Sequence, residues 1–88
     1  LYGAYLKNSN FEKANLSDAN LRGANLRWVN LQKANLSGSN LMRADLHESN
    51  LKETNLFGTN LKMSDGLTQS QIDQAQTNET TELPNILE

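Results

Sequence analysis

A leucine or phenylalanine recurs at every fifth residue of this chain: Leu1, Leu6, Phe11, Leu16, Leu21, Leu26, Leu31, Leu36, Leu41, Leu46, Leu51, Leu56 and Leu61. A helix advances about 100° per residue, so side chains five apart differ by roughly 140° and spiral around the whole cylinder. A flat strand alternates faces with period two, so residues five apart point to opposite sides. Neither element gathers these leucines on one face. The chain must turn once per repeat, returning each leucine to a common axis. A period this short and this sustained marks a solenoid, whose units are stable only when stacked on one another.

The polar columns agree. Two residues before each leucine stand only small or β-branched residues, from Ala4 and Ser9 through Val29 to Thr59 and Ser64, as a crowded inward position requires. One residue before each leucine is Asn, with Asp at Asp45 and a single exception at Tyr5. Asn and Asp satisfy nearby backbone groups and tolerate tight turns. The two residues after each leucine vary freely, which marks a solvent face. Gly3, Gly23, Gly38 and Gly58 all occupy the second of these, where a positive φ is expected.

The phrase Ala14-Asn15-Leu16-Ser17-Asp18-Ala19-Asn20-Leu21 and its tandem continuation closely resemble the pentapeptide-repeat family, whose consensus is Ala-(Asp/Asn)-Leu-X-X. The type is widespread in cyanobacteria, where most members lack an assigned biochemical role. The resemblance covers residues 1–65. It implies an all-β fold, a right-handed quadrilateral β-helix with one repeat per side and four per coil. Thirteen repeats then make three coils and the start of a fourth, a stub about 15 Å long at 4.8 Å per stacked strand. Residues twenty apart fall into columns, such as Phe11-Leu31-Leu51 inside and Lys7-Arg27-His47 outside. Inward Ser and Thr hydroxyls are expected to bond to neighbouring backbone carbonyls.

The repeat breaks at Gly66, and two domains are expected: the β-helix at 1–65 and a C-terminal helical cap and tail at 66–88. Thr68 and Gln71 have capping-box spacing, and Leu67 and Ile72 that of a hydrophobic staple. A short helix from about Gln69 to Gln76 follows, with Leu67, Ile72 and Ala75 facing Leu61 and Leu56. The apolar run Leu83-Pro84-Asn85-Ile86-Leu87 is expected to fold back. Its role is to cover the last coil, whose strand edges would otherwise pair with another chain. The first coil has no matching cap, only the partial cover of Tyr5, so end-to-end self-association through it is expected.

Composition adds little. The 88 residues fit one small unit and contain no cysteine, which excludes disulfides and thiolate metal sites. No apolar run approaches the roughly 20 residues that span a bilayer. The net charge of -2 divides into eight basic and six acidic residues over 1–65 and four acidic residues, without a base, over 66–88. Neither part is charged enough to imply direct nucleic-acid binding. Because Leu1 falls inside the repeat pattern, the chain reads as a fragment, a processed chain or the end of a longer protein. Any targeting segment would lie upstream, and a cytoplasmic location is weakly favoured.

Three groups of residues carry candidate chemistry. Lys7, Arg27 and His47, with Trp28 beside them, could hold an anionic ligand by charge and stacking. Trp28 and Phe57 are large apolar groups at outward positions and could anchor a protein partner. His47 next to Glu48 could suggest acid–base or metal work, but a filled solenoid offers no cleft to host it. The reading is therefore a non-enzymatic structural or protein-interaction module, with no catalytic, metal or cofactor site, no cofactor and no small-molecule substrate. Its protein partner is unidentified, and its contact residues are Trp28, Phe57, Arg27, Lys7 and His47. The alternative implied by the family is a DNA mimic that binds DNA gyrase or another nucleic-acid-binding protein. The mildly basic repeat departs from the acidic surface such mimics carry.

Overall fold

Each repeat places a tight turn over Leu-X-X-Ala, closed by the alanine-position amide donating to the leucine carbonyl, as from Ala24 to Leu21 at 3.0 Å and from Ala34 to Leu31 at 3.0 Å. A computed structural model of the chain describes residues 1–85 and 87 and shows this geometry in all thirteen repeats. The second variable residue has positive φ every time, at Gly3, Gly23, Gly38 and Gly58 and equally at Asn8, Lys13, Asp18, Trp28, Lys33, Arg43, Glu48, Glu53 and Met63. Glycine is thus the comfortable choice at a position the fold forces on nine other residues. The Asn column lies just before the turn, in extended backbone, and reaches into it. Asn30 Oδ1 accepts the Gln32 amide at 3.0 Å, and Asn10 through Asn60 repeat the bond, with Asp45 doing the same for His47.

Residues twenty apart pair as parallel bridges, from Tyr5 with Asn25 to Asp45 with Asp65. Four repeats therefore close one coil, giving coil 1 (residues 1–20), coil 2 (21–40) and coil 3 (41–60). Between coils each repeat makes three backbone bonds. Leu26 and Trp28 amides donate onward to the Asp45 and His47 carbonyls, while the Asn50 amide donates back to Val29. The solenoid satisfies its backbone only through these neighbours.

Leucines from Leu21 to Leu61 are buried to 1% exposure or less, with Ala24, Val29, Ala34 and Ala44 beside them. The inward hydroxyls find carbonyls as expected: Ser39 Oγ donates to Leu36 at 2.6 Å, Thr54 Oγ1 to Leu31 at 2.6 Å and Thr59 Oγ1 to Leu36 at 2.7 Å. Ser64 Oγ is buried without a partner. The coil 1 equivalents Leu6, Phe11 and Leu16 are only half-buried.

The helix α1 spans Gln69–Gln74, with Thr68 as N-cap and a complete capping box to Gln71. It ends two residues earlier than the sequence suggests. Ala75 is extended at φ -90° and ψ 170°, because Gln76 must straighten to bridge Asn55. Leu67 and Ile72 are buried in the core cluster, and Ala75 and Leu87 pack against it. Leu83 is 37% exposed, and Ile86 lies outside the described residues. Tyr5 does not cover coil 1, because its ring is 74% exposed.

Candidate functional site

Two sites emerge, one on the outer columns and one where the chain leaves the last repeat. On the outer column, Arg27 and His47 do not stand as free cations above Lys7. Both turn to Asp45, the one acidic residue in the Asn column before Asp65. His47 Nδ1 lies 2.6 Å from Asp45 Oδ1, the His47 amide donates to the same oxygen at 3.1 Å, and Arg27 Nη1 lies 3.4 Å from Oδ2. Lys7 takes part in no ion pair among the described residues. The expected basic ladder is thus partly neutralised by a residue that sequence reading noted only as a substitution in the Asn column.

Asp45 is held below the ordinary carboxylate range. Partial burial pushes its pKa up, but the hydrogen bonds from the His47 ring and amide and the Arg27 charge outweigh it. A carboxyl whose folded pKa is depressed contributes stability above its unfolded pKa and loses it as pH falls through the folded value. The stability difference between wild type and Asp45→Asn should therefore be constant near neutrality and shrink below about pH 4. Denaturant melts across that range measure it; a gap that widens on acidification would contradict the pairing.

Trp28 is 57% exposed and Phe57 41% exposed. Their columns lie two sides apart on the four-sided coil, so the fold does not join them in one patch. Trp28 sits beside Arg27 at φ 60°, a left-handed backbone uncommon for a bulky residue.

At the second site the fold makes a cleft of about 400 Å³ lined by His47, Glu48, Ser49, Gly66, Thr68, Ser70 and Gln71. This corrects the expectation that a filled solenoid has no cleft. Gly66 displaces the chain by one residue, and α1 follows where the next side of a fourth coil would stand. The His47 ring fills the space a Gly66 side chain would take, and Gly66 has φ 77°. Gln71 closes the junction. Its Oε1 accepts the Thr68 amide at 2.7 Å, and its Nε2 donates to the carbonyls of Leu46 and Ser49, each at 3.0 Å. Sequence reading found the capping box but not this second use, since no local spacing links Gln71 to Leu46. Among the described residues no three metal-ligating side chains converge.

A profile of the pentapeptide repeats matches residues 1–38 and 24–62. The chain belongs to the pentapeptide-repeat family. Among solved structures it is similar to QnrB1, a plasmid-mediated fluoroquinolone resistance protein, with 22% identity and a TM-score of 0.77 over 92% of this chain and 38% of that one. It is also similar to the pentapeptide repeat protein Rfr23 from the cyanobacterium Cyanothece 51142, with 29% identity and a TM-score of 0.46 over 91% of this chain and 60% of that one. A third is alr5209, a pentapeptide repeat protein from Nostoc Pcc 7120, with 25% identity and a TM-score of 0.47 over 99% of this chain and 75% of that one. The chain thus spans less than two thirds of the first two. No curated protein matches significantly.

Proposed function

We propose that this chain is a non-enzymatic protein-interaction module, a right-handed β-helix closed by the segment 66–88, and that its outer columns carry the recognition. One observation carries this reading. Trp28 is the one aromatic residue at a turn position that the other twelve repeats give to glycine, Asn, Asp, Glu, Lys, Arg or Met, and it leaves 57% of its surface to solvent. A large aromatic side chain left this exposed contributes little to folding, and aromatic groups of this kind are the ones that dominate protein-contact energetics. Arg27, Lys7 and His47 share its side of the coil and supply polar contacts; Phe57 offers a second anchor on another column.

The test separates folding from recognition. Trp28→Gly relieves the turn and is expected to leave stability unchanged or raise it by up to about 1 kcal/mol. The same variant is expected to lose a binding protein that wild type retains in affinity capture. Identical captured sets, or a destabilised Trp28→Gly, would count against the reading.

A DNA-mimic function is the second reading, supported by the fold shared with QnrB1. The excess of basic over acidic residues in 1–65 weighs against it. A gyrase supercoiling assay with the purified chain separates the two, protection of the enzyme favouring mimicry.

A further inference from the structure

In the cleft beside Gly66 the side-chain donors are used internally and the acceptors are not. Gln71 Nε2 donates to the carbonyls of Leu46 and Ser49, the Ser49 hydroxyl donates to the Leu46 carbonyl at 2.9 Å, and the Thr68 hydroxyl lies 3.2 Å from Gln71 Oε1. Of the lining hydroxyls only that of Ser70 makes no bond among the described residues. His47 Nδ1 lies 2.6 Å from Asp45 Oδ1, and an ionised carboxylate can only accept. The ring proton therefore stands on Nδ1, and the neutral imidazole keeps a lone pair on Nε2. That lone pair and the Glu48 carboxylate meet no partner among the described residues, and both residues line the cleft.

Glu48 links this cleft to Trp28. The two stand twenty residues apart in one outer column, both at the left-handed turn position, and the Trp28 amide donates to the His47 carbonyl at 3.0 Å. Stacked strands lie about 4.8 Å apart, so the Trp28 turn, the Glu48 turn and the cleft follow one another along the axis. The charge of Glu48 is uncompensated. It forms no ion pair among the described residues, because Arg27 on the same side is turned to Asp45. Lys7 stands two coils away, about 10 Å along the axis and beyond the screening length of about 8 Å at physiological salt. Arg43 and Lys52 occupy the adjacent sides of coil 3. Past the coil, Asp65 and Asp73 are exposed, and residues 66–88 contain no base. The face from Trp28 to Ser70 is thus aromatic at one end, rich in acceptors at the other and negative between.

We propose that this face binds an arginine side chain of the protein partner, its guanidinium donating to the Glu48 carboxylate and to His47 Nε2 beside the cleft, with Trp28 flanking it. A guanidinium carries five N–H donors and no acceptor, which is the complement of a lining whose free groups accept. Its planar fork matches a carboxylate with two parallel bonds, and an aromatic ring attracts the same cation. A lysine ammonium is a compact, strongly hydrated charge without that fork, and an acidic group would meet Glu48 as a like charge. The assignment rests on the reading of Trp28 as a recognition residue and names the chemistry of what it recognises.

Trp28 is the only tryptophan in the chain, so its fluorescence reports this face alone. The full chain is titrated with acetyl-Gly-Arg-Gly-amide and with the same peptide carrying Lys or Glu in place of Arg. The arginine peptide is expected to change Trp28 emission saturably, with a dissociation constant on the order of 1 mM. It should bind at least about fivefold more tightly than the lysine peptide, and the glutamate peptide more weakly still. Glu48→Gln keeps the size of an exposed turn residue and is expected to weaken the arginine peptide about tenfold, whereas Glu12→Gln, on another side of the coil, leaves it unchanged. Amide shifts at Glu48, Ser70 and Gln71 locate the peptide, and they remain measurable in Trp28→Gly, where affinity should fall by roughly threefold to tenfold. The proposal is overturned if Glu48→Gln binds the arginine peptide as wild type does, if the lysine peptide binds as tightly, or if no saturable binding appears by about 20 mM. A Trp28→Gly chain that captures the same proteins as wild type, with arginine binding still dependent on Glu48, would count against the surface reading alone. Loss of a captured partner by Trp28→Gly, with arginine binding indifferent to Glu48→Gln, would count against this assignment alone.

Discussion

Leu31→Ala is expected to lower the unfolding free energy by about 2–5 kcal/mol, and Leu6→Ala by clearly less. Both leucines occupy the same place in their repeats. They differ in what lies on either side. Leu31 has Phe11 before it and Leu51 after it in its column, and it is buried to 1% exposure. Leu6 has a neighbouring coil on one side only and is half-buried. Truncating Leu31 opens a cavity that two coils flank and cannot close, whereas the site of Leu6 is already partly open to water. Small domains have a total stability of about 5–15 kcal/mol, so the first change removes a large fraction of it. Urea melts with equal slopes give the comparison directly. Equal losses for the two variants would mean that position along the axis does not matter, and that is incompatible with a solenoid.

Gln71→Leu should be the most disruptive polar substitution outside the core. It keeps approximate volume and removes the carboxamide. The Thr68 amide loses its acceptor, and the carbonyls of Leu46 and Ser49 lose the donor that ties α1 to the β-helix. With about 0.5–1.5 kcal/mol net per hydrogen bond, the expected loss is roughly 2–4 kcal/mol, concentrated in segment 66–82. Amide exchange should show the Gln76 and Glu82 amides opening while the Asn30 and Asn35 amides stay protected. Gln71→Glu discriminates further, because it keeps the acceptor for Thr68 but not the donor to Leu46 and Ser49. It should therefore loosen the junction while leaving the N-cap bond in place. An unchanged exchange pattern in both variants would show that the backbone bonds to coil 3 and the packing of Leu67 and Ile72 hold the segment without Gln71.

Most of the architecture could be read from residue order because it is local and repetitive. One repeat contains its own turn, its own inward pair and its own Asn brace, so the sequence states the unit thirteen times. Thr68 and Gln71 were legible for the same reason, since a capping box spans only three residues. The helix end was not, because it is set by the bridge between Gln76 and Asn55, a pairing between distant segments. The same holds for the chemistry of the faces. Lys7, Arg27 and His47 form a column on paper, and Asp45 looks like one more member of the Asn column. Only in space do Arg27 and His47 both reach it.

The cleft beside Gly66 is the clearest case of what residue order alone leaves open. Pentapeptide periodicity determined the turn, the buried leucines and the four-column surface, because each follows from contacts within a few residues or from exact repetition. Tertiary structure decided where that repetition fails: how α1 lies across coil 3, how His47 fills the space above Gly66, and how one glutamine spans from a helix cap to two carbonyls twenty-odd residues earlier. Those features depend on which way groups point when distant segments meet, and that orientation is a property of the assembled coils.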